Sequence, residues 1–214
     1  MSRTSSSKHW DMIYGKYAPQ ELGWYTPSLA TSLKWIQKYA PSTSLPIIDI
    51  GGGSSTLVDE LIGLEFTNLT VLDLSQRALD EVEHRLGPDA SRISFSCCDV
   101  RDPTCGLPDV YIWHDRAAFH FLKDSEIHQY KTRLLKSLLP GGTFILGVFS
   151  ENAPPTCSGL PVNRHSLDSL GSVFEDNFSL LESHTEVHRT PGGVEQEYLY
   201  TAWMRIPDGL TLQL

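Results

Sequence analysis

The chain has 214 residues, 26 Asp+Glu against 17 Lys+Arg, and a formal charge of −9. That length points to one domain and its 40% apolar content to a sizeable core. The acidic balance argues against nucleic acid as a partner, and no run approaches the roughly 20 apolar residues of a membrane-spanning helix. Met1 to Lys8 is polar and serine-rich and lacks the apolar middle of a secretory signal. Cys97, Cys98, Cys105 and Cys157 show neither a dense disulfide framework nor paired zinc spacing, so a reducing, cytosolic setting is expected.

Along the chain, helical and strand patterns alternate. Leu29, Leu33, Ile36 and Ala40 recur at helical spacing, and Pro41 ends the segment. Ile47 to Ile50 predicts a short buried strand stopped by Gly51-Gly52-Gly53, with a helix over Ser54 to Ile62. Leu69 to Leu74 predicts a second strand, and Ser75 the N-cap of a helix carrying Ala78, Val82 and Leu86 on one face. A third strand runs from Arg92 to Cys98 and a fourth from Asp109 to Trp113, ending at His114-Asp115. Glu126 to Leu139 reads as an amphipathic helix closed by Pro140-Gly141-Gly142, and Thr143 to Phe149 as a fifth strand. A proline-rich loop, Asn152 to Pro161, leads to a helix near Leu167, Leu170 and Phe174. Two last strands, 178–187 and 194–204, flank Pro191-Gly192-Gly193 as an antiparallel hairpin.

Strands separated by helices imply right-handed crossovers and a mostly parallel sheet with helices on both faces. Ligands of such sheets gather outside the carboxyl ends of the strands. Four consecutive strands here each deliver an acid to that edge: Asp49, Asp73, Asp99 and Asp115. Gly51 to Gly53 lacks the lysine of a P-loop, and Thr56 breaks the dinucleotide fingerprint at its sixth position. Asp49 beside the turn suits a cation rather than a pyrophosphate. Asp73, 20 residues beyond Gly53, suits ribose hydroxyls; Asp99 with Val100 suits adenine. A cationic adenosine ligand, S-adenosylmethionine, fits that distribution.

These motifs resemble those of the seven-strand, class I S-adenosylmethionine-dependent methyltransferases from about His9 to Arg205. Ile47 to Gly53 is similar to the first motif, with Ser55 where a third glycine is common. Val71 to Ser75 is similar to the ribose motif, Cys98-Asp99-Val100 to the adenine motif, and Leu139 to Gly142 to the turn before the fifth strand. The resemblance implies a Rossmann-like seven-stranded sheet with an antiparallel last strand, and methyl transfer by in-line displacement. It implies that Trp24, Asp49, Gly51, Gly53, Asp73, Leu74, Asp99, Val100 and His114 hold the cofactor.

On the acceptor side, Trp113-His114-Asp115-Arg116-Ala117 resembles the Trp-Asp-Arg-Gly-Ala region of thiopurine-type thiol methyltransferases, and the loop around Cys157 resembles their proline-rich loop. His9-Trp10-Asp11 and Gly23-Trp24-Tyr25 instead resemble lysine methyltransferases of elongation factor 1A and citrate synthase. Those carry an Asp-Lys-Gly-Thr type motif where this chain has Asp115-Arg116-Ala117-Ala118. His114 and Asp115 are the candidate catalytic residues; Tyr25, Arg116, His120 and Cys157 are the candidate acceptor contacts. The expectation is an N-terminal cover over 1–26 on a single domain over 27–214, monomeric, with no metal. The acceptor is expected to be a small thiol, amine or related nucleophile, with a protein lysine as the alternative. A non-catalytic cofactor-binding module would carry the same cofactor motifs.

Overall fold

The computed structural model describes residues 3–207. Helix α1 (Arg3–Lys16) and α2 (Ala30–Tyr39) precede β1 (Ile47–Ile50), α3 (Leu57–Gly63), β2 (Leu69–Asp73), α4 (Gln76–Leu86), β3 (Ile93–Cys97) and β4 (Val110–Arg116). Then come α5 (Asp124–Ser137), β5 (Leu138–Phe149), the two-residue strands β6 (Thr156–Cys157) and β7 (Leu160–Pro161), α6 (Leu167–Phe174), β8 (Phe178–Arg189) and β9 (Glu195–Arg205). Seven strands form one sheet in the order β3-β2-β1-β4-β5-β9-β8. The pairings from β3 through β5 are parallel, and β9 joins antiparallel to both β5 and β8. The Rossmann-like sheet with its antiparallel end is as expected. No helix of the described residues is long and apolar enough to cross a membrane.

Every residue of β1 is buried, because both faces of the sheet are covered. Ile47, Val71, Ile112 and Tyr200 pack one face against Trp35 and Ile36 of α2, Leu57 and Leu61 of α3 and Leu79 of α4. Ile48, Leu72, Trp113, Phe144 and Trp203 pack the other against Tyr130 and Leu134 of α5 and Leu170 and Phe174 of α6. Burial of each such side chain contributes about 1.5–3 kcal/mol, so the two layers set the sheet's register firmly. Ser75 caps α4, its Oγ accepting from the Ala78 N–H at 3.2 Å.

The departures from the sequence expectation lie at element ends and at the amino terminus. Residues 3–16 form α1, although their polar, serine-rich run gives little apolar periodicity; tertiary contact holds the helix, not an apolar stripe. Strand β5 begins at Leu138, five residues before the expected start, and carries Pro140-Gly141-Gly142 within it. Cys98 and Cys105, read from sequence as thiols, are joined by a disulfide, because the turn through Asp102 folds Cys105 back to within 6.1 Å, Cα to Cα, of Cys98.

Candidate active site

The first crossover turns at Gly51 and Gly53, with φ of +64° and +49°, the left-handed region that only glycine enters without strain. A Cβ at Gly51 would lie 2.6 Å from Ala118 Cβ, and one at Gly53 would overlap Tyr14 Oη. The turn is therefore sandwiched between the segment after β4 and helix α1.

A cavity of about 370 Å³ opens beside this turn at the carboxyl ends of the strands. Its floor is Ile50, Gly51, Leu72, Asp73, Leu74, Asp99 and Val100. Trp10 and Tyr14 of α1 line it together with Trp24, and Arg116, Phe121, Cys157, Leu160 and Pro161 line it as well. A smaller pocket of about 40 Å³ adjoins it, walled by Trp24, Tyr25, Asp49, Gly51, His114 and Arg116. Trp24, Gly51 and Arg116 belong to both and so join them.

The Asp73 carboxylate accepts from the Ser75 N–H at 2.8 Å. Burial pushes its pKa up to about 7 against the pull of backbone N–H groups, so little energy is needed to switch its charge near neutrality. Asp99 is held bidentately by Arg101, with 2.8 and 2.6 Å contacts, and Arg101 also pairs with Glu126. Asp49 and His114 are cross-strand neighbours in register; His114 Nδ1 lies 2.7 Å from Asp49 Oδ1, and Nε2 lies 2.8 Å from Ser32 Oγ on α2. Both ring nitrogens are thus occupied, and the ring braces the carboxylate beside the smaller pocket.

The alternation of β4 sends Asp115 to the opposite face from His114. Asp115 is fully buried and lines neither cavity. One oxygen accepts from the Ala118 and Phe119 N–H groups at 3.0 and 3.1 Å, and the other from the Tyr130 hydroxyl at 2.7 Å. Tyr130 in turn accepts from Trp113 Nε1. Burial raises the Asp115 carboxyl to about 6. Its geometry fixes the turn at Ala117, where a non-glycine residue stands at φ +71°.

The expected acceptor contacts divide. Arg116 and Cys157 reach the larger cavity, whereas Tyr25 lines only the smaller pocket. His120 lines neither: it is fully buried, its Nδ1 accepts from the Phe149 N–H at 3.2 Å, and burial lowers it to about 3. Gly53 turns to Tyr14 rather than to a cavity. Cys157 is a buried neutral thiol, raised by burial. Among the described residues no group of three or more His, Cys, Asp or Glu is gathered as a metal site.

Trp10, Tyr14 and Leu160 were not foreseen as cavity residues. The sequence held a signal for the first two, aromatic side chains four apart on one helical face. Trp10 meets the edges of Phe121 and Trp24 with centroids 5.0 and 5.7 Å apart, so α1 is stitched to the far wall by aromatic contacts.

Residues 47–142 match the family model described as a methyltransferase domain. Mouse EEF1A lysine methyltransferase 2 is 25% identical over 160 residues, covering 68% of this chain and 66% of that protein, just under two thirds of its length. A protein solved in a study of the conversion of a disulfide bond into a thioacetal group during echinomycin biosynthesis superposes with TM-score 0.75 at 18% identity over 94% of each chain. The Burkholderia thailandensis 1,6-didemethyltoxoflavin-N1-methyltransferase, solved with S-adenosylhomocysteine bound, gives 0.67 at 16% identity over 95% of this chain and 87% of its own. The strand order, the glycine turn with an acid at each of the first three strand ends, and the matched segment agree with one another: the chain has the fold of the class I methyltransferases and carries a match to a methyltransferase domain over residues 47–142.

Proposed function

We propose that the chain transfers the methyl group to a small-molecule acceptor bearing a thiol, an amine or a similar soft nucleophile. The observation that carries this reading is the aromatic and apolar wall of the cavity, where Phe121, Cys157, Leu160 and Pro161 stand with Trp10 and Trp24. Such a wall suits an acceptor that enters whole.

In this reading Asp49 faces the cationic end of the cofactor, steadied by His114. Asp73 accepts from the ribose hydroxyls, while Leu74, Asp99 and Val100 border the base. The bound cofactor supplies an electrophilic methyl group on a sulfonium. The protein's part is alignment and exclusion of water: Trp24 and Trp10 close the site from above, and the strand ends fix the reacting partners from below. Neither His114 nor Asp115 presents an unengaged atom to the cavity, so the acceptor is expected to react as the neutral amine or the thiolate that solution provides. The same reading takes the protein as a cytosolic monomer with α1 and the segment to residue 26 as its cover.

A protein lysine is the second reading, favoured by the curated relatives, which are named as lysine methyltransferases of EEF1A. Incubation with methyl-labelled cofactor and size-fractionated lysate separates the two. Label in the small-molecule fraction supports the first reading; label on one protein band replaces it with the second.

A further inference from the structure

Arg116 is a buried cation without a counter-ion. Its residue is 8% exposed, yet none of the ion pairs among the described residues includes it. One guanidinium nitrogen donates to the Trp24 carbonyl at 2.6 Å, the guanidinium carbon lies 4.3 Å from the Tyr198 ring centre, and Nε has no partner. A buried charge whose company is a neutral carbonyl, a ring face and the Tyr200 hydroxyl is expensive to keep without a counter-ion, so something else ordinarily completes it. Arg116 lines the cavity together with Cys157 and Leu160.

The charged groups around it point the same way. Burial first and the Arg116 charge with it lower His120 and His188, the same charge pulls Cys157 down against burial, and the carboxylate whose charge acts on Arg116, Glu186, is engaged by Thr31 at 2.6 Å. A planar guanidinium that lines a cavity suits a carboxylate better than any neutral group, and it disfavours an ammonium. The aromatic and aliphatic wall beside it suits an apolar, planar body.

We infer that the acceptor carries an anionic group, such as a carboxylate, on an apolar body, and that Arg116 binds it in the cavity. This rests on the small-molecule reading above and specifies its substrate class. Arg116 acts as the specificity determinant; the methyl-accepting atom lies elsewhere on the same molecule.

The test uses benzoate, benzyl alcohol and benzylammonium as probes, titrated calorimetrically into the full chain saturated with S-adenosylhomocysteine. Benzoate is expected to bind at least tenfold tighter than the alcohol, and benzylammonium weakest. Arg116→Met is expected to bring benzoate to the level of the alcohol, and Arg116→Lys to retain most of the preference. Equal binding of benzoate and benzyl alcohol by the unaltered chain overturns the inference without reference to any variant. So does an Arg116→Met protein that loses S-adenosylhomocysteine tenfold but keeps 5′-methylthioadenosine, because the guanidinium would then serve the cofactor's own carboxylate. Label on a protein band in the lysate experiment, with benzylammonium the preferred probe, overturns both readings. Small-molecule label without a benzoate preference overturns only this one.

Discussion

In the proposed site Asp73, whose carboxyl burial holds at about 7, is the group that would give cofactor binding its pH dependence. Ribose hydroxyls donate to the ionised form, so binding lowers the pKa and expels a proton. Affinity is then full above the free protein's pKa and falls as pH drops through it. For one carboxyl near 7, S-adenosylhomocysteine affinity should fall about tenfold from pH 8 to pH 6, and Asp73→Asn should bind weakly with a flat profile. Calorimetry at each pH measures this; an unchanged affinity in the native protein would falsify the role given to Asp73. The buried Asp115–Tyr130 pair calls for a different assay. Tyr130→Phe removes the hydrogen bond to the charged Asp115 together with the one accepted from Trp113 Nε1, and should cost at least about 1.5–3 kcal/mol in urea unfolding. A loss of turnover at unchanged stability would instead put Asp115 in the chemistry. The sequence could have separated His114 from Asp115, since adjacent strand residues face opposite sides of a sheet. Their adjacency in a motif-like stretch concealed that alternation.

At the scale of elements, the glycine turn and helix α1 are one device. Tyr14 packs against Gly53, the Ser75 hydroxyl donates to Asp11 at 2.6 Å, and Ser7 donates to the Leu74 carbonyl at 3.0 Å. Gly53→Ala adds a methyl group where Tyr14 Oη sits and forces an alanine to φ +49°. The expected result is displacement of α1 and at least a tenfold loss of S-adenosylhomocysteine affinity, with the sheet still folded by circular dichroism. Native affinity in that variant would show that α1 does not cover the cofactor. Strands β1 to β5 were legible because buried apolar runs ended in glycine or acid, a local pattern. Helix α1 was not, because its residues contribute through single contacts to a site assembled by distant strands. The Cys98–Cys105 link was hidden for the same reason: only the turn through Asp102 brings the two together.

On the scale of the whole molecule, the proposed cofactor site is also a stabilising interface, since its cavity draws together α1, the ends of β1, β2 and β4, the loop beyond β3, and strands β6 and β7. Any ligand that binds the folded chain and not the unfolded one stabilises it by mass action. At a hundred times the dissociation constant the gain is about 2.7 kcal/mol. For a chain of 214 residues each kcal/mol moves the midpoint by about 2–4 °C, so saturating S-adenosylhomocysteine should raise Tm by about 5–10 °C. Asp73→Asn, measured at the same ligand concentration, should show at least about 3 °C less of that rise, because each tenfold loss of affinity removes about 1.4 kcal/mol. A scanning melt with and without ligand reads both. A native chain whose midpoint does not move at millimolar ligand would mean that the cavity beside Gly51 is not where the cofactor binds, and the roles given to Asp49, Asp73 and Asp99 would go with it.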